Sequence, residues 1–311
     1  MKKRQDNPGA AVKKPLQAER PAPTTERPAL PAREEFLQAM LDGTTRSYVP
    51  IRTRFVQSKT EGEDGTLAGP LARIVRSRTA SYLDAFLLIH ALASSSDPYD
   101  ATYPAQTWVR ALGLDINVGA GDEQGSIEIA KSTWSKIVRR LVELHLVDRK
   151  RKDNMMSYIL LDESGDGSAY TRPKTESHGT WFQLPLSYWR DDHYLTMSLP
   201  AKAMLLICLS LDHTFKLPAE RVPQWYGISA STAKRGLSEL VKAKILTYES
   251  DWVVDPKSAI GLREQRMYSL MGEWSLKSRK KHSKRPPKFT SAAAKTKNTA
   301  TATASNDSGT P

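Results

Sequence analysis

Apolar residues recur at helical spacing in two stretches of this chain, and the two stretches can be overlaid. From Ala230 to Lys244, a helix turning about 100° per residue puts Ala233, Leu237, Leu240 and Val241 on one side. Ser231, Arg235, Ser238 and Lys242 then fall opposite, with Thr232, Lys234 and Glu239 on the flanks. Gly227-Ile228-Ser229 reads as a tight turn that closes one helix and caps the next. From Ser132 to Leu144, the same spacing buries Trp134, Val138, Leu141 and Val142. Ser132, Lys136 and Arg139 point outward, with Ser135 and Arg140 beside them. A shift of 99 positions carries Ser132, Thr133, Lys136, Leu141 and Val142 onto Ser231, Thr232, Arg235, Leu240 and Val241. A repeat of this kind constrains a fold more than any single helix does.

The neighbouring patterns repeat as well. Ser81 caps a helix with the stripe Leu83, Phe86, Leu87, His90 and Ala91, which Asp97-Pro98 stops. Pro104 opens a second helix, Ala105 to Leu112, and a glycine-bearing loop from Asp115 to Gly125 leads to the third. Leu146–Lys150 and Met155–Leu161 alternate as strands around a turn at Lys152-Asp153-Asn154. In the second copy, Ser198 caps Leu199–Asp212, and Ala219–Tyr226 follows. After the third helix come strands at Ile245–Glu249, Trp252–Val254 and Arg266–Leu270. Helix, helix, helix, hairpin is the order of a winged helix. The predicted fold is mainly α with small β-hairpin wings (α+β), as two tandem winged helix-turn-helix domains over 67–161 and 179–272. A linker is expected at 162–178, a loop at Thr60–Gly65, a short helix at 34–41 and a short strand at Trp181–Pro185. Residues 1–35 and 273–311 read as disordered tails, too poor in large apolar residues to offset the entropy of ordering. The aromatic segment 181–194 reads either as packing between the domains or as a contact surface.

Charge refines this picture. The formal net charge is +12, but residues 1–35 contribute +3 and residues 272–311 contribute +7. The middle of the chain is nearly balanced, so any folded binding surface must be a local patch. A basic balance suits a polyanionic partner, and equally suits solubility. The single cysteine, Cys208, lies in an apolar run, which excludes a disulfide framework and a cysteine-ligated zinc site. No apolar run reaches the ~20 residues of a membrane span, and no signal sequence is evident. The expected location is cytoplasmic, in association with nucleoid or plasmid, with no membrane partner.

The outward residue types point to nucleic acid. Ser, Thr, Lys and Arg donate to phosphates and base edges, and Arg grips guanine with two bonds. A recognition helix touches bases mainly through its N-terminal half. The candidate DNA-binding residues are therefore Ser229, Ser231, Thr232, Lys234, Arg235, Ser238 and Lys242 in the second copy, with Arg235 foremost. In the first copy they are Ser132, Thr133, Lys136, Arg139 and Arg140 on the helix and Arg149, Lys150, Arg151 and Lys152 on the wing. Four successive cations on a wing serve phosphate contact or guard a strand edge against aggregation. Arg73, Arg76 and Arg78 either extend the basic surface or are merely exposed. The stretch Lys277–Lys288 carries seven Lys or Arg, suited to sequence-independent phosphate contact or, in a nucleated cell, to an import signal.

Catalytic patterns are missing from the sequence. There is no phosphate-binding glycine loop and no Ser or Cys nucleophile signature. The six histidines do not fall at metal-ligand spacing. His90 and His145 lie on apolar faces and read as core residues, and Asp191-Asp192-His193 reads as a polar turn. The expectation is a protein that is not an enzyme, with no cofactor and no metal.

Ile228-Ser229, Thr232, Leu237 and Leu240 resemble the helix-turn-helix of bacterial winged-helix regulators. Two such units in one chain with basic tails resemble the replication initiators of bacterial plasmids, over about residues 67–272. The resemblance implies a sequence-specific double-stranded DNA-binding protein that acts as an initiator or origin-binding protein and forms a homodimer through one unit. A winged-helix transcriptional repressor and a protein-interaction adaptor are the alternatives. The regulators often place Gly after the recognition helix. Here His145 and Lys244 take that place, so these helix ends are expected to close differently.

Overall fold

A computed structural model describes residues 32–44, 46–57, 68–115, 123–173 and 180–283. The loop read at Thr60–Gly65, most of the first tail, the glycines at 119 and 121, His178 and residues 284–311 lie outside this set. The chain is mixed α/β, not mainly α with small hairpin wings. Among the described residues, helices take 46% and strands 23%, in eleven α-helices and three antiparallel sheets. The buried apolar residues of both repeats join in one core. Sequence periodicity misjudged the β content because three of the eight strands have no strong pattern of their own. The segments Tyr48–Arg52, Asp100–Thr102 and Thr214–Lys216 are strands because partners distant in sequence pair with them.

Before the first repeat come α1 (Arg33–Asp42) and β1 (Tyr48–Arg52). The first repeat holds α2 (Pro70–Arg76), α3 (Ala80–Leu92), β2 (Asp100–Thr102), α4 (Ala105–Ala111), α5 (Glu123–Glu143), β3 (Val147–Lys152) and β4 (Met155–Leu160). Next are β5 (Trp181–Pro185), α6 (Ser187–Arg190) and α7 (His193–Thr196). The second repeat holds α8 (Leu199–Leu209), β6 (Thr214–Lys216), α9 (Val222–Tyr226), α10 (Ala230–Lys242), β7 (Leu246–Val254) and β8 (Leu262–Leu270), and α11 (Leu276–Ser283) follows. The two repeats build sheets of the same order, β2–β4–β3 and β6–β8–β7. A third sheet pairs β1 with β5, Tyr48 opposite Pro185 and Arg52 opposite Trp181.

The helices α3 and α8 are apolar nearly all round and are buried accordingly. Ser198 caps α8, accepting from the Ala201 amide at 3.4 Å, as its sequence foretells. Lys202 on α8, only 3% exposed, donates to both oxygens of Asp84 on α3 at 2.7 Å. Burial drives the Asp84 carboxyl up to about 6 against the pull of Lys202. This ion pair fastens the central helix of one repeat to that of the other.

The stretch expected as a linker is part of the structure. Glu163 is fully buried; its Oε2 takes Arg52 Nη1 at 2.6 Å, and its Oε1 lies 3.3 Å from His90 Nε2. Burial lowers the pKa of His90, against the pull of Glu163. Burial pushes Glu163 the other way, but the His90 hydrogen bond and the Arg52 charge hold it below its ordinary value. Tyr170, from the same stretch, packs edge-on against His90 at 5.1 Å. His90 is thus a core residue, whereas His145 is exposed. Phe182, Leu184, Tyr188, Trp189 and Tyr194 are buried, so the aromatic segment 181–194 is mainly core.

The basic end also departs from expectation. Residues 276–283 form α11, and Arg279 is buried, donating to the carbonyls of Trp274 at 2.9 Å and Leu209 at 3.2 Å. The helix ends at His145 and Lys244 were expected to differ from a glycine closure. Both instead adopt the left-handed backbone that glycine usually supplies.

Candidate nucleic-acid interface

The helix α10 begins where its sequence says it should. Gly227 takes φ +64°, and a Cβ there would stand 2.6 Å from Ala68 Cβ. Only glycine permits this turn against the segment that leads into α2. Ser229 then caps α10, its Oγ accepting from the Thr232 amide at 3.2 Å and lying 2.8 Å from the Thr232 hydroxyl. Ala233, Leu237 and Leu240 are buried as predicted, and Val241 is half-buried. Gly236 is buried too, and a Cβ there would meet the Pro200 carbonyl oxygen at 2.4 Å, so α10 lies directly on the first turn of α8.

The opposite face of α10 is open. Ser231, Lys234, Arg235, Ser238 and Lys242 are exposed, and Thr232 is half-exposed. The C-terminal part of this face forms one wall of a groove of about 970 Å³, and the second-repeat sheet forms the other. Lys234, Ser238 and Lys242 face Lys216 of β6 and Arg263 and Arg266 of β8 across it. Its cations differ in their freedom. Arg266 bonds Glu264 at 2.9 Å and lies 4.6 Å over the Tyr248 ring. Arg263 pairs with Asp255 at 3.1 Å, and Lys234 with Glu220 at 3.0 Å. Such exposed pairs are weak and exchange readily for a stronger anion. Arg235, Lys242 and Lys216 have no ion pair among the described residues. Arg76 of α2 is exposed, and its guanidinium lies beside Gly227, 3.3 Å from where a Cβ would stand. Cationic surface therefore continues past the start of α10.

The first repeat offers a plainer surface. The helix α5 starts at Glu123, about nine residues before the expected start, because the stretch read as the end of a glycine loop is helical. Ser132 and Thr133 therefore sit mid-helix and not at an N-terminus. The hydroxyls of Thr133 and Ser135 bond back to the carbonyls of Ile129 at 3.1 Å and Lys131 at 3.0 Å. Ser132, Lys136 and Arg139 are exposed, and Arg140 pairs with Glu143 at 3.0 Å. On the adjoining hairpin, Arg149 and Lys150 have no ion pair among the described residues, Arg151 reaches Asn154 at 3.5 Å, and Lys152 lies 3.6 Å from Asp100.

No family model, curated protein or solved structure matches this chain. The interface therefore stands on its own chemistry.

Lys216, Arg263 and Arg266 were not expected from the sequence, where the second repeat's candidate cations all come from the helix face. Arg263 and Arg266 did carry a signal, as cations bracketing a run that alternates into a strand. Asp191 and His193 come together with Glu273, their ligand atoms within 4.8 Å of one another. They lie at the surface, as such groups commonly do without an ion, and contribute nothing to the groove. Among the described residues, no helix is long and apolar enough to cross a membrane.

Proposed function

We propose that this chain binds double-stranded DNA sequence-specifically, with the N-terminal half of α10 in the major groove, and that it serves as a plasmid replication initiator or origin-binding protein. The observation that carries the reading is Arg235. It is exposed on the outer face of a rigidly seated helix, in line with Ser231, and has no counter-ion among the described residues. An arginine held this way is free to bond guanine O6 and N7. Thr232 and Lys234 stand beside it, and Arg76, Lys216 and Lys242 supply cations for phosphates on either side. The repeat supports the initiator role. A second outward stripe, Ser132, Lys136 and Arg139, gives one chain two basic helices for a composite site.

The test is binding to labelled duplexes drawn from the DNA that flanks its gene, against scrambled duplexes of equal length. The reading expects tight binding to one sequence, an affinity that falls steeply with salt, and loss of preference in Arg235→Ala. Equal affinity for all duplexes would reject it. Maintenance of a plasmid that depends on this gene separates initiation from control of transcription, since only an initiator variant defective in DNA binding loses the plasmid.

A further inference from the structure

The two three-stranded sheets each end on an exposed strand. β3 is the outer strand of β2–β4–β3, and β7 is the outer strand of β6–β8–β7. Beyond their first residues, β3 is exposed throughout and β7 is exposed except for half-buried Val253. An outer strand presents unpaired backbone N–H and C=O groups to any second chain, and charges along it usually deter pairing. Charge of one sign repels a copy of the same strand. Here the two edges differ in net sign: Arg149, Lys150, Arg151 and Lys152 outweigh the one carboxylate, Asp148, on β3, and Glu249 and Asp251 lie on β7. Glu249, Asp251 and Lys150 have no ion pair among the described residues, and exposed Lys152 only approaches Asp100 at 3.6 Å. Each edge repels its own copy and attracts the other edge.

We propose that β7 of one copy of this chain adds antiparallel to β3 of a second copy, head to tail. One register matches the outward backbone groups of the two strands and sets both carboxylates against cations: Glu249 opposite Lys152 and Asp251 opposite Lys150. It also places Ser250 opposite Arg151, and it sets Trp252, 61% exposed, opposite Arg149 in place of water. There the Trp252 and Arg149 amides exchange the Asp251 and Asp148 side chains that now accept from them for the facing strand. Symmetric alternatives fail on the same ground. Two β7 strands paired about Ser250 set Glu249 against Asp251, and two β3 strands paired about Lys150 set Arg149 against Arg151. Like charges directly opposite are destabilising. Because the joined surfaces differ, the contact does not close on itself, and each added copy leaves a free edge at both ends. The assembly is a growing row and not a fixed dimer. This inference does not rest on the DNA reading, and its test contains no DNA.

The test is sedimentation of the full chain at low salt, from low to high micromolar concentration. The average mass should rise past that of a dimer with concentration and fall when salt is added. Two charge-reversed forms are then made, Glu249→Lys with Asp251→Lys, and Lys150→Glu with Lys152→Glu. Each alone should remain monomeric, with the circular dichroism of the parent. Mixed together they should associate again, because each supplies the edge that the other's reversed strand requires. A parent that stays monomeric at high concentration would overturn the proposal. So would reversed forms that associate alone as well as the parent does, or a mixture of folded forms that stays monomeric.

Discussion

His145 and Lys244, 99 positions apart, adopt the same left-handed backbone, with φ of 54° and 56°. The hydrogen bonds around them are the same as well. His145 N donates to Val142 O at 2.9 Å, and Leu146 N to Leu141 O at 3.1 Å. Lys244 N donates to Val241 O at 3.0 Å, and Ile245 N to Leu240 O at 3.0 Å. This paired closure at a helix C-terminus normally selects glycine. The strand that follows each helix starts at once, so the turn is kept although neither residue favours it.

Replacing either residue by Gly should therefore stabilise the fold by about 0.5–1 kcal/mol, because the positive φ then costs nothing sterically. Thermal unfolding of His145→Gly and of Lys244→Gly measures this, and a fall in midpoint for both would mean that the side chains hold contacts worth more than the strain.

These paired turns also indicate what the sequence makes legible. The two third helices, the Gly227 turn, the Ser229 cap and the hairpin at Asp153-Asn154 rest on local chemistry and can be read from a few residues. The contacts that join the halves cannot. Arg52 and Glu163 are 111 positions apart, and nothing near either one names the other. The β1–β5 ribbon and the short strands β2 and β6 exist only because distant partners pair with them, so the balance of helix and strand was misread. The outer face of α10 was legible, and the sheet side of its groove was not.

Gly236 tests the seat of α10. A methyl group there would meet the Pro200 carbonyl oxygen at 2.4 Å and Met204 Cγ at 2.6 Å. Met204 can move, but the backbone cannot do so cheaply. Gly236→Ala should cost about 1–3 kcal/mol by overpacking, although Ala is the better helix former. Chemical denaturation would show it, and a neutral or stabilising result would mean that α10 sits farther from α8 than described.

The buried group Arg52–Glu163 should respond asymmetrically to substitution. Glu163→Gln removes the nearer of two carboxylates at buried Arg52, with Asp162 still 3.6 Å away, and should cost about 1–3 kcal/mol. Arg52→Met combined with Glu163→Leu removes both charges and should cost less than the single change. If the double variant proves the weaker, the pair is a net source of stability and not mainly a matching of buried charges.

The pH dependence of Asp84 has a definite sign. Its folded pKa is raised from 3.8 to about 6 by burial. Between these values the native state holds a proton that the unfolded chain has lost, so this group's contribution to stability falls as pH rises from about 4 to about 6 and is flat above that. Asp84→Asn lacks the titration. The stability of the parent minus that of Asp84→Asn should therefore decline across that window. Denaturation of both proteins at a series of pH values reads this difference. A difference that rises with pH would mean that Lys202 dominates and depresses the carboxyl.

Arg235 should separate DNA reading from simple charge attraction. Its side chain is exposed and has no ion pair among the described residues, so Arg235→Ala should leave thermal stability unchanged. On the preferred duplex it should cost about 1–3 kcal/mol and relax preference at one base position. Lys242→Ala and Lys216→Ala, aimed at phosphates, should instead weaken all duplexes alike, each making the logarithmic salt dependence shallower by about 0.9. The two kinds of loss are distinguished by titrating parent and variants on preferred and scrambled duplexes at several salt concentrations. If Arg235→Ala weakened both duplexes equally and changed only the salt slope, Arg235 would be one more phosphate contact, and base reading would have to come from another residue on the α10 face.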